Sequence, residues 1–244
     1  MAEIAPQVSS NANALILDFD IIAHNIANVS TTGYKRRVNG FAATLDAQIA
    51  QATGTLAPDV KVHKALDFSQ GPLEQTERAL DFAIQGKGFF VLETTEGLKY
   101  TRNGTFSTDS TGALVNSEGY IVAGKTVSPI IIPANVNLRE LQVTPEGSIS
   151  HDGVVLGELR IEDFGDVEDQ LQAAGATTFI APSGLSSTTL DDAVVKQGFR
   201  EASNVEVMEE LVGMITVSRL YEANMRFLSA RKDLGQSLMS VAMG

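Results

Sequence analysis

The chain has 244 residues, 43% of them apolar, with 30 acidic and 18 basic residues and a formal net charge of −12. This length and composition suit a folded protein with a real hydrophobic core, and the acidity disfavours nucleic acid as a general partner because phosphates are repelled. Cysteine is absent, which excludes disulfides, thiol nucleophiles and thiolate metal sites.

The first residues, Met1-Ala2-Glu3-Ile4-Ala5-Pro6, are neither basic nor a long apolar run, so no Sec-type signal peptide is expected. No stretch approaches the roughly 20 apolar residues of a membrane span, and no membrane insertion is expected. In residues 1–33, Leu15, Phe19, Ile22, Ile26 and Val29 recur at alternating spacings of four and three. That places them on one face of a helix, close to a heptad seam. Ser10 and Asn11 are candidate N-caps, and residues 1–10 read as weakly helical. Ser30-Thr31-Thr32-Gly33 ends the helix: hydroxyl side chains compete for backbone hydrogen bonds, and Gly33 can take a positive φ. Asn25 and Asn28 flank the apolar stripe and are candidates for a hydrogen-bonded contact, either between subunits or to the loop after Gly33.

Residues 34–66 read as an extended linker, with a short helix expected near 40–51. The basic run Lys35-Arg36-Arg37 reads as a solvated loop or a subunit contact. Residues 67–200 carry short apolar runs, including Phe89-Phe90-Val91-Leu92, Gly119-Tyr120-Ile121-Val122, Ile130-Ile131-Ile132-Pro133 and Val154-Val155-Leu156-Gly157. Turn signals such as Glu96-Gly97, Thr111-Gly112, Glu146-Gly147 and Asp152-Gly153 separate them. Regular punctuation of this kind predicts an antiparallel β-rich domain.

Residues 201–244 return to a helical period. Ser203 with Glu206 makes a capping-box pattern. Val207, Leu211, Met214, Tyr221, Met225 and Leu228 follow three-to-four spacing, and Leu234 and Leu238 continue the stripe after a drift in phase. A helix of this length exposes an apolar seam that needs a partner. The expected fold is therefore α+β: long N- and C-terminal helices paired in a coiled-coil-like core, with an inserted antiparallel β-rich domain. The competing arrangement packs both helices directly on the β domain. The candidate subunit-interface residues are Leu15, Phe19, Ile22, Asn25, Ile26, Asn28, Val29, Val207, Leu211, Met214, Tyr221, Met225, Leu228, Leu234 and Leu238.

Catalytic and ligand chemistry finds little support. Gly86-Lys87-Gly88 lacks the layout of a phosphate-binding loop and reads as a turn. His24, His63 and His151 are scattered, so no metal site is expected. Tyr100, Arg102 and Phe106 alternate and would share a strand face, which suits packing. No catalytic residue, cofactor or metal ligand is assigned.

Four blocks of this sequence resemble the axial rod and hook proteins of the bacterial flagellum. They are His24-Asn25-Ile26-Ala27-Asn28-Val29-Ser30-Thr31-Thr32-Gly33-Tyr34-Lys35; Gln70-Gly71-Pro72-Leu73-Glu74-Gln75-Thr76 with Leu80-Asp81-Phe82-Ala83-Ile84-Gln85-Gly86-Lys87-Gly88-Phe89-Phe90; Tyr100-Thr101-Arg102-Asn103-Gly104-Thr105-Phe106; and Gly198-Phe199-Arg200-Glu201-Ala202-Ser203-Asn204-Val205 with Tyr221-Glu222-Ala223-Asn224. The resemblance implies a structural subunit of the basal-body rod. Its terminal helices would pack with other copies and other axial proteins around a central channel, with an outer β domain. It also implies passage through the flagellar type III export apparatus and a place in the rod as it crosses the periplasm. Length favours the proximal over the distal rod, with a hook-type subunit as an alternative. From a different class, a cell-wall hydrolase with helical oligomerisation ends is the competing expectation. The sequence departs from the family at Leu15, Ile16 and Leu17, where polar residues are usual.

Overall fold

The structure, a computed structural model, describes residues 4–40, 63–126, 128–190 and 192–243. The short helix expected near 40–51 lies outside the described residues, as do Leu234 and Leu238 as side chains. Two long helices bracket a β-rich middle. Helix α1 is Ile4–Ala27 and α2 is Val207–Met243, 37 residues long, which corresponds to about 55 Å of helix. The chain divides into two compact units. One holds α1, residues 37–40 and 63–65, and α2; the other holds Asn28–Arg36 and Leu66–Val205.

The helix ends differ from expectation. Helix α1 starts well before Ser10 and Asn11, which are therefore interior residues rather than caps. Ile4 and Val8 extend the three-to-four apolar spacing backward from Leu15, and two polar residues inside a helix cost only a few tenths of a kcal/mol each. At the other end α1 stops at Ala27, so Asn28 and Val29 leave the helix for a turn in which the Thr31 amide donates to the Asn28 carbonyl at 3.0 Å. The capping box is likewise not formed. The Ser203 hydroxyl accepts from the Val205 amide, and α2 begins only after Glu206, whose carbonyl accepts from the Glu210 amide. Ser203 is spent on a tight turn of its own.

The strands are short. Strands β1 (Arg36–Gly40) and β2 (His63–Asp67), most of whose residues belong to the helical unit, pair with each other inside the segment expected to be linker. After them come β3 (Leu73–Gln75), β4 (Phe82–Gln85), β5 (Phe89–Thr94), β6 (Gly97–Thr101), β7 (Ser107–Thr108), β8 (Leu114–Val115) and β9 (Ile121–Val122). Then follow β10 (Gln142–Val143), β11 (Ser148–His151), β12 (Val154–Glu158), β13 (Ile161–Asp163), β14 (Gln172–Ala173), β15 (Thr178–Ile180), β16 (Thr188–Thr189), β17 (Val194–Gln197) and β18 (Phe199–Glu201). The main sheet runs β14-β15-β6-β5-β9-β8-β7, with β13 bridging β5 and β16; β10-β11-β12 form a separate meander. Two further pairs, β17 with β4 and β18 with β3, are antiparallel.

Strand β5 explains how the unit holds together. It is central, pairing β6 along one edge and β13 and β9 along the other. Its first four side chains are all buried. Because side chains alternate across a strand, Phe90 and Leu92 enter one cluster with Phe82, Phe106, Ile130 and Ile149, while Phe89 and Val91 enter another with Phe68, Tyr100, Phe164 and Phe179. Edge-to-face rings tie each cluster: Phe90–Phe106 at 5.3 Å and Tyr100–Phe164 at 4.8 Å between centroids. Tyr100, Arg102 and Phe106 thus do not share a strand face. Strand β6 ends at Thr101, and the chain then turns Arg102 inward and Phe106 into the other cluster. Gly86-Lys87-Gly88 is the tight turn between β4 and β5, with φ of 94° and 110° at its two glycines.

Candidate functional site

All four sequence blocks meet at one junction inside the β unit. From the first block, Gly33 donates its amide to the Glu201 carbonyl at 2.7 Å, and Tyr34 and Lys35 are buried beside it. From the last, Glu201 reaches back. Its Oε1 accepts from Lys35 Nζ at 2.7 Å and from the Gly71 amide at 3.1 Å, and its Oε2 lies 3.4 Å from Arg102 Nη1. The second and third blocks supply Gly71, Arg102 and the Gly86 carbonyl, which accepts from Arg102 Nη2 at 2.7 Å. Arg102 also stacks over the Phe89 ring at 5.2 Å. Asn204 closes the junction: its Oδ1 accepts from the Arg36 amide at 2.7 Å, and its Nδ2 donates to the Asp67 carbonyl at 2.8 Å.

Within the run Lys35-Arg36-Arg37, the expectation is overturned for Lys35, while Arg36 and Arg37 are partly buried. Lys35 is neither solvated nor on a surface: it is 1% exposed, as is its partner Glu201, and Arg102 is 3% exposed. Its ammonium also donates to the Ser69 and Phe68 carbonyls, so every donor finds an acceptor. Burial pushes the Lys35 ammonium below its ordinary pKa, and Glu201 only partly offsets that. Burial lowers Arg102 in the same way. Two cations share one carboxylate here, and the Arg102 Nε has no hydrogen-bond partner among the described residues. The arrangement holds the segments that lead out of α1 and into α2 on a single framework.

The second feature lies within the helical unit, where α1 and α2 are in contact. A Cβ on Gly213 would touch Ile22 at 3.3 Å. Leu15, Ile16 and Phe19 of α1 and Val217, Ser218 and Tyr221 of α2 line an apolar groove of about 190 Å³. Asn25, 1% exposed, acts as a substitute strand partner for residue 37. Its Oδ1 accepts from the Arg37 amide at 2.9 Å and its Nδ2 donates to the Arg37 carbonyl at 3.0 Å. Its Nδ2 also donates to Glu210 Oε1 at 3.2 Å, a buried bond across the helices. Replacing Asn25 with leucine removes all three bonds. Amide exchange at Arg37 should then rise at least tenfold while β5 amides keep their protection, as a lost buried hydrogen bond costs about 1–3 kcal/mol; unchanged exchange at Arg37 would count against this role.

Among the expected interface residues, Asn25 is buried, Asn28 and Val29 are partly buried in the turn after α1, and the apolar helical positions fall into two groups. Leu15, Ile22, Ile26, Met214 and Leu228 are partly buried, whereas Phe19, Val207, Leu211, Tyr221 and Met225 stay exposed. Sequence reasoning overlooked Glu201, Arg102, Glu210 and Asn204 as partners. A signal existed only for the block positions, since nothing in local spacing links Lys35 to a carboxylate 166 residues away. It also overlooked a stripe on α2, Met208, Val212 and Ile215, at 73%, 61% and 54% exposure.

Comparison with known proteins gives the family. Residues 83–151 match the flagellar hook protein FlgE/F/G D1 domain, residues 196–241 the C-terminal region of the flagellar basal body rod FlgEFG proteins, and residues 9–35 the flagella basal body rod protein family. The chain is 31% identical to the flagellar basal-body rod protein FlgG of Buchnera aphidicola subsp. Acyrthosiphon pisum, over 91% of this chain and 93% of that protein. It is 29% identical to FlgG of Bacillus subtilis, over 91% and 92%. It is 30% identical to the basal-body rod protein FlgF of Caulobacter vibrioides, over 90% and 89%.

Proposed function

The chain belongs to the flagellar basal-body rod protein family, and from that premise we propose how its two units divide the work of a rod subunit. Membership makes it a structural, non-enzymatic protein of the basal body that assembles with other rod and hook proteins. This replaces the hydrolase alternative raised by the sequence. In our reading α1 and α2 form a paired, coiled-coil-like axial core and the β unit takes the outer position. Many copies packed through these helices build a hollow shaft that carries torque across the periplasm. The subunit reaches that shaft through the flagellar type III export apparatus. Its compact length favours the proximal position, which a subunit-resolved map of the basal body would test; finding the chain only in the hook-adjacent segment would overturn it.

One observation carries the assembly reading. Met208, Val212 and Ile215 lie on the side of α2 away from Gly213 and Val217, which face α1, and all three are more than half exposed. A contiguous apolar stripe on a long helix is costly in water and is stabilised by a partner. Exposed Leu211 borders it. Leu211→Asp is expected to leave the β unit folded but exclude the chain from purified basal bodies, because a charge would enter a closed helical contact. Normal incorporation of this variant would refute the helical core.

A further inference from the structure

The helical unit places a half-buried carboxylate, Asp18 on α1, and an exposed guanidinium, Arg219 on α2, without an ion pair among the described residues. Asp18 sits on α1 between Leu15 and Ile22, on the same side as buried Ile21 and Asn25, which are three and seven residues further on. It makes no hydrogen bond or ion pair among the described residues. Burial against this seam raises its pKa, the mark of a carboxylate that has lost water without gaining a cation. Unlike Asp18, Asp20 on the outer side of α1 already has His24 at 3.8 Å.

Arg219 on α2 is exposed and likewise makes no ion pair among the described residues, whereas Arg226 pairs with Glu222 at 3.7 Å. Arg219 follows Val217 by two residues, about 200° round the helix, and Val217 lines the groove against α1. Arg219 therefore points away from α1 and from Asp18 of its own chain. It lies one turn beyond Ile215, so Met208, Val212, Ile215 and Arg219 fall on one stripe with spacings of four, three and four.

We propose that Asp18 accepts Arg219 from a second copy of this chain, an ion pair that sets the register in which the outer stripe of one α2 lies along the α1–α2 seam of its neighbour. Apolar stripes slide easily against each other, because each one-turn shift buries similar area. A single partly buried charge pair penalises the wrong registers, each of which leaves a carboxylate and a guanidinium unpaired. The donor and acceptor lie on different faces, so the contact is heterologous and propagates from copy to copy. The inference rests on the rod reading above and adds the partner residue and the register to it.

A charge exchange tests it. Asp18→Arg alone and Arg219→Asp alone should each lower the amount of chain in purified basal bodies by roughly fivefold or more, with the β unit still folded. The double exchange should restore incorporation, which no contact within one chain can explain because the two residues point apart. The chain contains no cysteine, so Asp18→Cys combined with Arg219→Cys offers a second readout. Treating assembled basal bodies with a short bis-maleimide, which spans the longer reach of an Asp–Arg pair that a disulfide cannot, should yield a ladder of multimers, and neither single cysteine should. Normal incorporation of the single charge variants, or no restoration together with no ladder, overturns the register pair while leaving the rod reading intact. Absence of the unaltered chain from basal bodies would instead sink the rod reading and this inference with it.

Discussion

Glu201→Leu is expected to destabilise the β unit by about 3–5 kcal/mol, the range for removing one partner from a buried ion pair. The expected loss is large because the carboxylate serves two cations and a backbone amide at once. Without it Lys35 and Arg102 remain buried with like charges and no paired carboxylate, only the weaker influence of Asp67, Glu168 and Asp163. Lys35→Met is the informative contrast. It leaves Arg102 facing Glu201, a balanced pair, and the Ser69 carbonyl keeps a donor in Asn204. That variant should cost roughly 1–2 kcal/mol. Denaturant unfolding of both proteins checks the order; equal losses would mean that charge balance is not what the junction requires. Lys35 also sets a sign for pH. Its folded pKa is lowered from the ordinary 10.5, so between the two values the unfolded chain holds a proton that the folded chain has released. Stability from this group therefore rises with pH in that window, and Lys35→Met should abolish the rise.

Gly33→Ala is expected to cost about 3 kcal/mol or more, from two separate causes. Gly33 has a φ of 70°, where an L-residue is strained by about 1–2 kcal/mol. In addition, a Cβ would lie 2.4 Å from the Asn103 amide nitrogen and 2.7 Å from the Arg102 carbonyl carbon, both backbone atoms that cannot yield without moving the loop. Gly86→Ala separates the two effects. Gly86 also has positive φ, at 94°, but nothing lies within 4 Å of the Cβ position. Strain alone should therefore appear there, and the difference between the two variants measures the close approach of the first and third blocks. Comparable unfolding free energies for the two would show that the junction is looser than its geometry implies.

Several elements were legible before any fold was seen. The three-to-four spacing through Leu15, Phe19, Ile22 and Ile26 lies on α1, and the spacing from Val207 onward lies on α2. The run Phe89-Phe90-Val91-Leu92 is the most buried strand of the β unit. Gly33 was readable as a stop because only glycine takes its conformation without strain. Boundaries were less legible. Ser10, Asn11 and Ser203 have the chemistry of caps, yet a cap is decided by where the neighbouring backbone goes. Val29 fits the helical stripe and still leaves the helix, because Gly33 and Lys35 are bound into the junction a few residues later.

The amino-acid pattern by itself determined that a helix stands near each end of the chain and that short strands and turns lie between them, because periodicity and glycine conformation act over a few residues. Only the tertiary structure decided that the lysine of a basic run is a buried anchor, that Asn25 serves as a strand partner for residue 37, and that four separated blocks form one junction. Those outcomes depend on contacts such as Lys35 with Glu201, 166 residues apart. Whether a lysine is solvated or buried follows from what chain closure brings to it, and local spacing carries no record of that.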